Sequence, residues 1–365
     1  MRTDSAPHVN VPWVESPFFE QELASRRAGL SSRTQELARH FHDDGYLALH
    51  GAIPDELCDR VRGEVEPLLA EDRAIEERRV QDAWARGAQS TRELAVFPPV
   101  LDLLRVLYER EPIPFQTLNF QVGTEQHAHA DAVHFSCIPP RYMCGVWVAL
   151  EPTDSENGPL FYYPGSHRLP ELTMYDLGQT LEEVRYDQYE EFQYRLMEEL
   201  GIEPVEFHAE KGDAFLWASN IVHGGRPVRE AGRTRWSQVS HYYFEGGIYY
   251  TPVFSDPVTG RLLLKEIVDL KTMEPVAHSH NGRPLSVTKL SDGLCRVSFA
   301  AEGNEVPADE ELLRVRRELE TSRAALAATE RALDDAYRSA SYRLGHALLE
   351  PARRLRAGGP HRADG

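Results

Sequence analysis

Hydrophobic positions recur along this chain with more than one period. From Ser31 to about Leu107 the step is three or four residues: Leu37, His40 and Phe41, then Cys58, Val61, Val65 and Leu68. That spacing lines one face of an α-helix. Pro54-Asp55-Glu56 offers a helix opening between the two stretches, because proline and acids are favoured in a first turn. Residues 1–30 show no sustained period and are expected to form a polar lead-in. From about Pro112 to Ala300 the pattern changes. Runs such as FQTLNFQVG, MCGVWVALE, PLFYYPG, DAFLWAS and RWSQVSHYYFEGG are short, aromatic and β-branched, and Gly, Pro, Asn and Asp divide them. This predicts an antiparallel sandwich or barrel. Within it Leu181, Val184, Tyr189, Phe192, Leu196 and Leu200 predict a helix, in an insert of about 170–200 placed as a lid or outer wall would be.

After Pro307 the period becomes seven. Leu312, Leu319, Leu326 and Leu333 form one row, with Val315, Ser322, Thr329 and Ala336 as a weaker companion row. Such a seam predicts a helix that packs on the domain, or pairs with a partner helix or a second copy through 309–340. The chain therefore divides into a lead-in (1–30), one domain over 31–305 with a helical entry (31–111) and a β-core (112–300), a helical tail (306–357) and a disordered end (358–365).

Composition narrows the function. The chain has 365 residues and a net charge of −18, which disfavours nucleic-acid and anionic-lipid partners. Residues 309–365 carry eleven arginines against ten acids, which leaves −19 on residues 1–308. No apolar run reaches the roughly 18 residues of a membrane span, and the start shows no cationic patch followed by an apolar run. Cys58, Cys137, Cys144 and Cys295 include no CxxC pair. Free thiols and a cytoplasmic location are expected.

The stretch GTEQHAHADAVH, residues 123–134, holds the most informative cluster. On an extended strand, residues two apart share a side, so His127, His129 and Asp131 can converge. A histidine and an acid at that spacing supply two ligands of the 2-His-1-carboxylate set used by non-haem Fe(II). His223 in NIVHGG, after a buried-looking strand, is the best third ligand. His127 also permits an HxH metal pair of His127 and His129, with Asp131 behind it, as in a non-oxygenase metal- or sugar-binding cupin-like barrel. Asn119 and Gln121 share the parity of His129 and are candidates to line the same cavity.

These residues carry a resemblance. FHDDGYLALHGAIPDELCDRVRGEV, the HxD motif His129-Ala130-Asp131, CGVWVALEPTDSENGPLFYYPGSH, and GDAFLWASNIVHGG followed by RTRWSQVSHYYFE stand in order from about Phe41 to Phe244. In this the chain resembles the phytanoyl-CoA dioxygenase family of Fe(II)/2-oxoglutarate oxygenases. The resemblance implies a double-stranded β-helix core of the jelly-roll or cupin kind, with Fe(II), 2-oxoglutarate and O2 as cofactor and cosubstrates. It implies His129, Asp131 and His223 as iron ligands and catalytic centre. Arg235 would clamp the far carboxylate of 2-oxoglutarate, a task suited to a guanidinium fork; Arg233 is the competitor. Ser237, on the same strand face, would add a hydroxyl, and Trp147 would stand beside the cosubstrate. The implied reaction is hydroxylation or another C–H oxidation of a small-molecule substrate with release of succinate and CO2. Asp131 matters here, because related halogenases carry a small residue in its place. His127 and His134 are expected behind the metal or facing substrate, PGSH as a structural turn, Tyr186, Tyr189 and Tyr194 as a packed lid face, and Glu245 to Asn281 as a closing loop.

Overall fold

In a computed structural model, residues 9–71, 79–123 and 125–300 are described. The chain divides into two units at Ala300. The expected heptad tail (306–357) and disordered end (358–365) lie outside the described residues.

The entry is helical, as the three- and four-residue steps require: α1 (Phe19–Arg26), α2 (Ser32–Asp44), α3 (Asp55–Glu71), α4 (Gln89–Ala95) and α5 (Pro98–Tyr108). Ser31 caps α2 by accepting the Thr34 N–H on its hydroxyl, and Gly45 ends the helix at φ 81. Two expectations need correction. Residues 1–30 are not merely a polar lead-in: Trp13–Glu15 form a short turn, α1 follows, and Trp13, Val14, Phe19 and Leu23 are buried. Those four anchors are spaced too unevenly to register as a period. Nor is 31–111 helical throughout, because β1 (Tyr46–Leu49) and β2 (Arg79–Gln81) lie within it. Each is too short to show an alternation; pairing with a neighbour makes them strands.

The β-core begins with β3 (Pro112–Phe120), β4 (His129–Ala130), β5 (Ser136–Ile138), β6 (Met143–Ala149) and β7 (Leu160–Tyr162). After α6 (Tyr186–Leu200) come β8 (Val205–Phe207), β9 (Ala214–Ala218), β10 (Val222–Gly225), β11 (Ser237–Phe244) and β12 (Ile248–Tyr250). The helix expected over 181–200 thus starts five residues later. A six-stranded antiparallel sheet runs β1-β9-β6-β11-β3-β2, and a four-stranded one runs β4-β10-β7-β8. Ser279–His280, Arg283–Lys289 and Cys295–Phe299 form a small outlying sheet.

Alternation explains how the layers meet. Val146, Val148, Ala214, Leu216 and Tyr242 of the large sheet pack with Phe41, Val61, Leu104 and Leu107 of the helices. The intervening positions Trp147, Phe215, Trp217 and Val239 pack with Leu160, Tyr162 and Phe207 of the smaller sheet. Each such fully buried aromatic or branched side chain contributes about 1.5–3 kcal/mol. The space between the two sheets is where the polar residues gather. α6 supplies an outer wall: Tyr189 packs with Val133, Met174 and Val253, while Tyr194 is exposed. The cysteines are free, with Cys58, Cys137 and Cys144 buried.

Candidate active site

β4 and β10 are paired so that His129 stands directly opposite His223. β4 ends at Ala130, and Asp131 opens a 3-10 turn through Val133. Asp131 therefore reaches the two histidines from a turn and not by strand parity. The turn is pinned where the Ala132 N–H donates to the Ser219 carbonyl. The three ligand atoms lie within 4.8 Å of one another and all three residues are buried. His129 Nε2 is 3.8 Å and His223 Nε2 is 3.9 Å from Asp131 Oδ1.

The surrounding chain decides which ring atoms face inward. His129 Nδ1 is 2.9 Å from the His127 carbonyl, and His223 Nδ1 is 3.1 Å from the Ile221 carbonyl. A carbonyl only accepts, so Nδ1 carries the proton and each Nε2 keeps its lone pair for the centre. Burial pushes His129 down to about 3, with His223 adding to the effect, so the ring is neutral at physiological pH. Burial would raise the Asp131 carboxyl, but His223, His241 and His129 outweigh it and hold the group well below the usual carboxylate range. Trp217 Nε1 donates to Asp131 Oδ2 at 2.8 Å, and His241 Nε2 stands 3.5 Å from the same oxygen. Two imidazoles and one ionised carboxylate, converging and buried, are a donor set for a divalent transition metal with open positions.

His127 is exposed and offers only its backbone carbonyl. The HxH pair of His127 and His129 is therefore not brought together. His134 lines the cavity, and its Nε2 lies 2.9 Å from the Tyr186 hydroxyl at the start of α6; burial pushes it down to about 4.

The cavity, about 220 Å³, runs from the triad to Arg235. The Arg235 N–H donates to the Gln121 carbonyl, and its Nη1 donates to the Gly158 carbonyl at 3.0 Å. Arg235 is 3% exposed, its Nε has no hydrogen-bond partner, and no ion pair forms to its guanidinium among the described residues. Desolvation lowers it to about 10, so it remains a cation. It stands 5.9 Å from the Trp147 ring centre. Trp147 Nε1 and Ser237 Oγ are also buried without partners. Arg233, the competitor, faces outward and pairs with Asp154 at 2.9 Å. An orphaned buried cation among unpaired donors fits a small carboxylate.

Two expectations fail here. Asn119 and Gln121 do not line the cavity. Asn119 points to the helical side, where its Nδ2 donates to Gln238 Oε1 and Gln238 reaches the Thr91 carbonyl. Gln121 serves through its backbone. Their parity with His129 fails because the chain between β3 and β4 leaves one sheet for the other, so the count does not carry across. His167 of PGSH lies outside the cavity, with Nε2 3.1 Å from the His42 carbonyl, so the segment is a turn. Trp217 and Gln116 line the site and went unremarked in the sequence, and His241, which shares the alternation of Arg235 and Val239, lines it too.

Gly145 makes the Trp217 position possible. A Cβ there would stand 2.4 Å from the indole ring, a distance that forces the ring to move. Gly145→Ala is expected to loosen the Asp131 orientation and to weaken divalent-metal affinity about 10-fold. Metal titration of the folded variant checks this, and unchanged affinity would count against Trp217 as the orienting group.

A family model for phytanoyl-CoA dioxygenase (PhyH) matches residues 41–235. The phytanoyl-CoA dioxygenase domain-containing protein 1 of Danio rerio is 24% identical, over 37% of this chain and 65% of its own. The chain thus spans slightly less than two thirds of that relative's length. Among solved structures, the non-heme alpha ketoglutarate dependent carbocyclase SnoK from nogalamycin biosynthesis matches with TM-score 0.50 and 16% identity, covering 61% of this chain and 87% of that one. The nogalamycin epimerase SnoN matches at 0.46 and 20%, covering 73% and 98%. EctD from S. alaskensis matches at 0.45 and 21%, covering 59% and 76%. The carbocyclase match is a likeness of fold.

Proposed function

As the chain belongs to the phytanoyl-CoA dioxygenase family, we propose that it is an Fe(II)- and 2-oxoglutarate-dependent oxygenase of jelly-roll fold that hydroxylates or otherwise oxidises a C–H bond of a small molecule. The observation that carries this reading is the union, in one cavity, of the His129, Asp131 and His223 cluster with a buried guanidinium that has no anion of its own.

His129, Asp131 and His223 would hold Fe(II), and Arg235 the far carboxylate of 2-oxoglutarate. The bound iron, with 2-oxoglutarate and O2, supplies oxidative decarboxylation to succinate and CO2 and the oxidising power for the C–H bond. The protein's own residues bind and orient. Trp217 and His241 hold Asp131 from behind, and the His127 and Ile221 carbonyls fix the two imidazoles. Ser237 and Trp147 offer a hydroxyl and an indole N–H beside Arg235. Leu118, Phe120, Leu160 and Val239 give part of the wall an apolar lining, which limits water beside them.

The test is anaerobic. Fe(II) followed by 2-oxoglutarate is expected to give a visible charge-transfer band in the full chain. No band, with iron shown to be bound, would reject the reading.

A further inference from the structure

The cavity has a wall that the proposed function leaves unassigned. Trp147 of β6 and Val239 of β11, with Arg235 just before β11, line one part of it. Beside β11 in the same sheet Gln116, Leu118 and Phe120 of β3 alternate inward, and Gln81 and Arg79 of the edge strand β2 stand at the same opening. Asp131 is the one acid among the lining residues described, in a chain of 58 acids.

Gln116 is paired across the sheet with His241, and the register between β11 and β3 shifts directly after that pair, where Pro114 comes opposite Tyr242. Proline has no N–H to give the ladder, and such irregularities re-aim side chains beside sites. At this place two polar atoms are left over. Gln116 Oε1 and His241 Nδ1 are buried with no hydrogen-bond partner among the described residues. His241 Nε2 faces the Asp131 carboxylate, so Nδ1 is the ring nitrogen left without a partner, and beside it the amide oxygen of Gln116 can only accept. A buried acceptor without a donor is costly and calls for one.

Resting on the oxygenase reading, we infer that Gln116 and His241 form a substrate subsite for a compact molecule bearing an O–H or N–H donor, a hydroxyl or an amine, and not a long acyl chain. The size of the cavity agrees: about 220 Å³ is below the roughly 300–1,000 Å³ of drug-sized ligand pockets. Its β3 face is divided between apolar Leu118 and Phe120 and polar Gln116, so it offers no continuous apolar groove for a chain of methylenes.

The experiment uses the full chain loaded anaerobically with Fe(II) and 2-oxoglutarate. The probes are glycerol and myo-inositol as hydroxyl donors, ethanolamine as an amine, and octanoate and hexadecanoyl-CoA as acyl chains. Probe-induced change in the charge-transfer band, with calorimetric Kd, is the readout. At millimolar concentration a hydroxyl or amine probe is expected to shift the band, and Gln116→Leu to weaken that probe about 10-fold. Gln116→Glu keeps an acceptor and adds charge, so it favours ethanolamine if the donor is an amine and not if it is a hydroxyl. A shift by the acyl probes alone, no shift by any polar probe, or wild-type affinity in folded Gln116→Leu would overturn the inference. A missing band in the unsubstituted protein would instead reject the oxygenase reading and the inference with it.

Discussion

Asp131→Ala is expected to reduce substrate-dependent succinate formation by more than about 100-fold, since even groups that only support a ligand cost 10–100-fold when lost. The carboxylate is the one anionic donor of the cluster and is buried with both histidines. Without it two imidazoles remain, and a divalent ion loses both a ligand and the charge that offsets its own in a dry site. The Trp217 N–H loses its acceptor as well, a cost of about 1–3 kcal/mol to the fold. Asp131→Asn separates the two effects, because its amide oxygen still accepts from Trp217 while the negative charge is gone. Iron titration, succinate assay and thermal melting of both variants check the assignment. Full turnover in either folded variant would overturn it.

Arg235→Met should act in two directions at once. Its guanidinium is buried with a carbonyl as its hydrogen-bond partner and no carboxylate among the described residues. Burial disfavours the cation, which is why its pKa falls to about 10. Even buried ion pairs replaced by packed hydrophobes leave a fold unchanged or stabilise it by about 1–4 kcal/mol, and here the charge has no counter-ion to lose, so the variant free of 2-oxoglutarate should melt higher. The same change removes the charge-assisted bonds to the cosubstrate, each about 1.5–3 kcal/mol, and the affinity for 2-oxoglutarate should drop about 10- to 100-fold. In the unsubstituted protein saturating 2-oxoglutarate should raise the melting temperature, by about 2.7 kcal/mol of added stability at 100 times Kd. At the same concentration that gain should shrink to about 0.4–1.4 kcal/mol in Arg235→Met. Equal 2-oxoglutarate affinity in the two proteins would place the carboxylate site elsewhere.

What could be read from the sequence follows from where the chemistry is local. His129 and Asp131 lie two residues apart and His223 precedes a glycine turn, so residue type and spacing pointed to them directly. Arg235 was preferred to Arg233 on the family resemblance, and the fold puts Arg233 outside on Asp154. The misreadings arise where position depends on the partner strand. Asn119 counts in step with His129, yet the chain changes sheets between them. β1 and β2 are strands because β9 and β3 pair with them, which no window of a few residues records. Trp217 sits in a run that would be buried in any case, and only the glycine opposite it, Gly145, hints that the indole has a task. The helix and turn over Trp13–Arg26 are held by a handful of large side chains instead of a repeating face.

The bond from Trp217 to Asp131 has a consequence for denticity. With one carboxylate oxygen engaged by the indole N–H and facing His241, the acid has a single oxygen, Oδ1, to offer an ion. His129, Asp131 and His223 would then hold an ion through one atom each, and the bound metal would supply its remaining positions to the cosubstrates. An acid free to offer both oxygens would take up one more of those positions, so the Trp217 N–H would limit how much of the metal the protein itself occupies.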